Sequence, residues 1–191
     1  VLTSSGATTF CLGGSTNLTF TTEPNVTYQW QLNGVDISGA TGATIPVSDG
    51  GIYTVVATSA AGCTSASLPG LEVIVNLPPV SPVITANGST VFCEGGAVTL
   101  EVPLVTGQTY QWNLANIDIT GATSNQYTVN ANSGFYSVNV TDQNGCSSPA
   151  TISYQVTVNP LPAVPVIMQS YDTLSVTGTG QFQWYLNGVA I

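Results

Sequence analysis

Four cysteines and nine carboxylates are the reactive ionisable side chains of this 191-residue sequence, which contains no Lys, no Arg and no His. Without an imidazole or an amine there is no base to activate a serine or cysteine, no Schiff base, no phosphate clamp and no histidine metal ligand. Paired carboxylates remain, the minimum equipment of a glycosidase, but they must share one cleft. Only Asp36 and Asp118 recur at equivalent positions, on separate repeats and beside turns, where a solvated carboxylate is the ordinary state. Asp142-Gln143-Asn144-Gly145 has the look of a calcium loop, yet it carries one carboxylate and its counterpart is Ser59-Ala60-Ala61-Gly62. A turn is the expectation there. The expected protein is no enzyme and uses no cofactor or metal.

The formal charge of −9 with no cation anywhere repels polyanions. Nucleic acid, whose phosphates must be neutralised, is excluded as a partner, and so is attraction to an anionic membrane surface. No apolar run approaches the roughly 20 residues that span a bilayer, so no membrane insertion is expected. Val1-Leu2-Thr3-Ser4 has neither a starting Met nor a basic leader region, and the expectation is that the chain begins inside a longer precursor or after processing. Salt bridges between side chains cannot form, which leaves sheet hydrogen bonds, core burial and disulfides to hold the fold.

The elements that must carry these residues are strands. Tyr28-Gln29-Trp30-Gln31-Leu32-Asn33-Gly34 returns as Tyr110-Gln111-Trp112-Asn113-Leu114-Ala115-Asn116 and as Phe182-Gln183-Trp184-Tyr185-Leu186-Asn187-Gly188. In each copy large apolar residues alternate with polar ones, the period of a strand with one buried face, and a tight turn follows. No stretch has helical periodicity. Three copies of one strand predict three copies of one domain: residues 1–77, residues 78–160, and a partial third module over residues 161–191. The first cysteines and the tryptophans of the two whole modules lie 82 residues apart, whereas Tyr53 to Tyr136 and Cys63 to Cys146 are 83 apart, which places one extra residue around Asn130 to Ser133. Asn76-Leu77-Pro78-Pro79-Val80-Ser81-Pro82 and Asn159-Pro160-Leu161-Pro162-Ala163-Val164-Pro165 are short, stiff, extended connectors.

About seven short strands per module, with turns every eight to twelve residues, predict an all-β chain of tandem immunoglobulin-like β-sandwiches joined by short Pro-rich linkers. Trp30, Trp112 and Trp184 take the place of the buried core Trp of such a sandwich. Tyr53 and Tyr136 stand where a tyrosine corner would. Half a sandwich in the third module would expose its core face, so the expectation is that more chain, or another chain, completes it.

Phe-Cys-x-Gly-Gly, Tyr-Gln-Trp-x-Leu, Ile-(Ser/Thr)-Gly-Ala-Thr, Gly-x-Tyr-x-Val and Gly-Cys, followed by a Pro-rich joint, resemble the tandem Ig-like repeats of large secreted surface proteins of the Bacteroidota, the gliding-adhesin-like cargo of type IX secretion. The third module departs from the pattern by lacking the first Cys. The resemblance implies an extracellular, surface-attached, non-enzymatic array, adhesive or filamentous. Its partners would be itself, head to tail or side by side, or other cell-surface components, with glycans a further candidate. The alternatives are glycan-binding modules, or spacers of a larger secreted enzyme.

Four cysteines with no His and no CxxC read as disulfides in an oxidising compartment, outside the cytoplasm. The favoured pairing is Cys11 with Cys63 and Cys93 with Cys146, each worth roughly 4 kcal/mol through loop closure. An ordinary Ig topology, however, puts those partners at opposite ends of one sandwich, beyond the roughly 7 Å Cα separation that a disulfide tolerates. The alternative is Cys11 with Cys146, a bond between neighbours, with Cys93 bonding the following module and Cys63 the preceding one. Asp172-Thr173-Leu174 resembles the O-glycosylation motif of exported Bacteroidota proteins and marks Thr173. Asn17, Asn25, Asn87 and Asn139 begin N-glycosylation sequons in a chain rich in Asn and Thr. Lysine-dependent isopeptide staples are ruled out by composition.

Overall fold

The computed structural model describes residues 1–149 and 151–191, and among them there is no helix. The first module contains β1 (Thr3–Ser4), β2 (Thr9–Cys11), β3 (Thr16–Thr19), β4 (Val26–Leu32), β5 (Val35–Asp36), β6 (Thr44–Val47), β7 (Gly51–Ser59), β8 (Thr64–Ala66) and β9 (Leu71–Asn76). One sheet has the order β1-β3-β6 and the other β2-β9-β7-β4-β5, with β8 beside β7. The second module repeats both sheets with β10 (Thr85–Asn87), β11 (Val91–Cys93), β12 (Val98–Glu101), β13 (Thr109–Leu114), β14 (Ile117–Asp118), β15 (Gln126–Val129), β16 (Gly134–Thr141) and β17 (Tyr154–Asn159). Their orders are β10-β12-β15 and β11-β17-β16-β13-β14. The extra residue of the second module falls between Val129 and Gly134, where the first module runs from Val47 to Gly51.

The alternating pattern of β4 and β13 buries Trp30 and Trp112 completely, Trp30 beside Leu18, Ile45 and Val73, and Trp112 beside Leu100, Val129 and Val156. Burying an indole of this size is worth roughly 5 kcal/mol of transfer free energy. Its N–H then needs an acceptor, and the carbonyls of Gly42 (2.8 Å) and Ser124 (2.9 Å) supply one in each module. The Gln before each Trp donates its side-chain amide to two carbonyls, Gln29 to Trp30 and Ile37, Gln111 to Trp112 and Ile119. This clamp fixes the strand to the turn segment that follows it.

Tyr53 and Tyr136, both buried, donate their hydroxyls to the carbonyls of Asp49 (2.9 Å) and Asn132 (2.7 Å), four residues upstream. Burial first, and then the Asp49 charge, pushes the Tyr53 phenol above its ordinary pKa; burial, with a smaller contribution from Tyr127, does the same for Tyr136.

Residues 161–191 differ. They form two hairpins, β18 (Val166–Ser170) with β19 (Thr173–Thr177) and β20 (Tyr185–Leu186) with β21 (Val189–Ala190). Trp184, expected in a core, is only half-buried and belongs to neither core cluster. The reason is that no strand corresponding to β6, β7 or β9 lies among these residues to cover it. Gln183 still makes its clamp, to Trp184 O at 3.2 Å and Ile191 O at 2.7 Å, so that local unit forms without a core. Thr173 stands exposed at the start of β19.

Candidate functional site

Two of the four cysteines, Cys11 and Cys146, meet at the joint between the two whole modules. Cys11 ends β2, which lies parallel to β9 so that Cys11 is paired with Asn76, the residue from which the connector leaves. The Leu12 amide donates to Asn76 O at 2.8 Å, and the Gly14 amide returns to Cys11 O at 2.8 Å, fixing the thiol at the rim of the sandwich. In the second module, Cys146 follows a tight turn at the end of β16. Asp142 Oδ1 accepts the amides of Asn144 and Cys146, each at 2.9 Å, and Gly145 takes a φ of +78°, a left-handed conformation that glycine adopts without strain. Asp142 is thus the acceptor that aims Cys146, and among the described residues no group of three or more potential ligands could hold a metal.

Cys11 and Cys146 form a disulfide across the joint, with Cα atoms 5.5 Å apart, and Cys63 and Cys93 carry free, exposed thiols. The favoured pairing within each module is therefore not the one in the structure. Asn76, beside Cys11, runs past the Gly51 end of β7, because β9 is antiparallel to β7 with Val73 opposite Gly51. Cys63 lies beyond Ser59 at the other end of β7, a strand of 9 residues. At about 3.3 Å per residue that is roughly 26 Å, several times the reach of a disulfide. The same holds for Cys93, beside Asn159, and Cys146 across β16.

The bond makes the joint doubly tethered, by the connector from Asn76 to Ile84 and by the disulfide beside it. Pro78, Pro79 and Pro82 already restrict the connector, and a second covalent path removes hinge freedom that a single linker retains. The loop it closes spans 135 residues, worth about 5 kcal/mol on the loop-entropy account.

The remaining candidates have structural roles. Asp36 Oδ1 accepts the Gln31 amide at 2.8 Å and Asp118 Oδ1 the Asn113 amide at 3.1 Å, each latching its own β4–β5 or β13–β14 hairpin. They share no cleft. Sequence reasoning missed the part that Asn76 plays beside Cys11 and the aiming role of Asp142; the signal for Asp142 was an Asp three residues before a Gly-Cys.

The likeness to known proteins follows the same lines. Residues 79–160 match the family model of the Ig-like domain described as CHU_C associated. The fold of the two whole modules is that of tandem Ig-like β-sandwiches. No curated protein matches it significantly. Among solved structures, it is similar to the fibronectin(III)-like modules of Clostridium thermocellum CbhA at 15% identity, covering 84% of this chain and 95% of that one with a TM-score of 0.42. It is similar also to the I-band fragment I67–I69 of titin, at 16% identity over 96% and 77% of the two chains with a TM-score of 0.44. Murine CEACAM1b covers 84% of this chain and 100% of its own at 12% identity and a TM-score of 0.40. Ig-like repeats of this kind are structural or binding modules.

Proposed function

We propose that this chain is a stretch of a non-enzymatic extracellular array on a bacterial surface, of the type IX-exported adhesin kind, in which Ig-like modules provide reach and self-association. The observation that carries this reading is the Cys11–Cys146 bond. A disulfide between modules forms and persists in an oxidising compartment, and its mechanical consequence is a joint that resists bending and parting. The absence of cations in the sequence supports the same reading from the other side: the partners are other modules or surface components, not nucleic acid or anionic lipid.

The test is peptide mapping of the unreduced chain. Trypsin has no site, so a protease that cuts at acidic or aromatic residues is used. A Cys11–Cys146 crosslinked peptide is expected, together with small-angle scattering that shows a wider spread of particle lengths after reduction. A Cys11–Cys63 crosslink, or identical scattering before and after reduction, overturns the reading.

A further inference from the structure

The two thiols outside the bond sit in surroundings that repeat those of the bonded pair. Cys93 ends β11, parallel to β17 and paired with Asn159, as Cys11 is with Asn76. The Glu94 amide donates to Asn159 O at 2.9 Å and the Gly96 amide to Cys93 O at 3.0 Å, the counterparts of the Leu12 and Gly14 bonds. Cys63 follows the same tight turn as Cys146. The Gly62 amide reaches Ser59 O at 2.9 Å as Gly145 reaches Asp142 O at 3.0 Å, Gly62 takes a φ of +82°, and Ser59 Oγ accepts the Cys63 amide at 3.2 Å in place of the Asp142 carboxylate. One cysteine has the geometry of a donor half-joint and the other that of an acceptor half-joint.

A second observation is independent of the cysteines. The end of the second module that faces the first is closed: Ile84, Val102, Tyr110 and Val140 are all buried there, and Cys146 is 1% exposed. The same positions in the first module, Leu2, Phe20, Tyr28 and Ala57, are partly exposed, and they line an open cavity of about 420 Å³ beside Cys63. The first module therefore offers, beside a free thiol, a partly apolar hollow at the position where the second module's Cys146 meets its neighbour.

We infer that Cys93 and Cys63 are half-joints for two further Ig-like modules of this repeat: Cys93 bonds the Gly-Cys cysteine of a module docked after the second, and Cys63 the first-strand cysteine of a module docked over the Phe20–Tyr28 hollow. The inference rests on the array reading above. Each bond forms as two thiols give up two protons and two electrons to a disulfide oxidant of the oxidising compartment, which leaves as two thiols. The product is a line of modules in which every member is crosslinked to both neighbours and none within itself.

The experiment inserts a second copy of residues 77–159 after Asn159 in the full chain, so that the new joint repeats the sequence Val-Asn-Leu-Pro-Pro of the existing one. Of the six cysteines, unreduced mapping is expected to find Cys11 bonded to Cys146 of the first copy and Cys93 of the first copy bonded to Cys146 of the second. Two thiols then react with alkylating reagent. Four reactive thiols, with the Cys11 bond intact, overturn this inference and leave the array reading standing; loss of the Cys11 bond in the unmodified chain overturns both. A second measurement does not depend on the insertion folding. In protein taken from its native surface, Cys63 and Cys93 are expected to alkylate only after reduction, and alkylation without reduction overturns the inference.

Discussion

The two whole modules share sheet order, Trp clamp and tyrosine corner, differ in that, among the described residues, only the first has a strand (β8) at the edge after its Gly-Cys turn, and part company at that end. Seven buried residues make the core cluster of the first module and twelve that of the second. Four of the additional ones, Ile84, Val102, Tyr110 and Val140, lie at the end turned toward a neighbour. The lesson is that an Ig-like repeat of this composition is an unequal object. Each middle is closed by its own two sheets, whereas the end that carries the Gly-Cys turn is open in the first module and closed in the second, by the second module's own residues.

If the middle is common property, truncating its anchor is the largest perturbation and should hit both modules alike. Trp30→Ala and Trp112→Ala are each expected to destabilise their own module by about 4 kcal/mol, the usual cost of a large buried aromatic. Trp184→Ala, at a half-buried position outside any core, is expected to leave both whole modules within about 0.5 kcal/mol of the parent. Thermal unfolding of the three variants checks this. An effect of Trp184→Ala as large as that of Trp112→Ala would break the distinction between closed and open sandwiches.

A smaller effect, shared by the two modules, depends on pH. Tyr53 and Tyr136 have raised pKa values in the folded state, so the neutral phenol is the form that folding favours. A raised folded value contributes stability that is complete below the ordinary phenol pKa near 10 and is lost as pH rises through the folded value. The melting temperature is therefore expected to fall above about pH 10, and the Tyr53→Phe, Tyr136→Phe double variant to start lower and fall less steeply over that range. Parallel curves for parent and double variant would show that the buried phenols are not the groups responsible.

Much of this was legible from residue types and spacing. The repeated Tyr-Gln-Trp strand implied the sandwich and its core because a period-2 pattern with one large aromatic has few other solutions. Disulfide connectivity was less accessible. Spacing favours partners about 50 residues apart, whereas Ig topology argues for Cys11 with Cys146, and the parallel pairing of β2 with β9, which sets Cys11 at the end of the sandwich away from Cys63, decides between them. The hollow beside Cys63 was not legible at all, since Phe20 and Tyr28 have the same chemical character as their buried counterparts Val102 and Tyr110. Nor does the aromatic strand of the third copy reveal by itself that Trp184 has no covering strands.

The smallest expected effect comes from the turn after the Trp strand, where the modules differ by two side chains. Asn33 and Gly34 take φ values of +52° and +81°, and the same left-handed pair in the second module is Ala115 at +51° and Asn116 at +65°. A left-handed alanine costs roughly 1–2 kcal/mol, whereas Asn and Gly tolerate that region. Asn33 also accepts the Ile52 amide on its Oδ1 at 2.9 Å, a bond that Ala115 has no atom to make with Phe135. Replacing Ala115→Asn with Asn116→Gly should therefore give the second module the turn of the first and stabilise it by about 1 kcal/mol, raising its melting temperature by roughly 4–8 °C. The reciprocal pair, Asn33→Ala with Gly34→Asn, should lower the first module by a similar amount. If the exchange leaves both midpoints where they were, the turn is held by the Gln29 and Gln111 clamps alone and its own backbone preference contributes nothing.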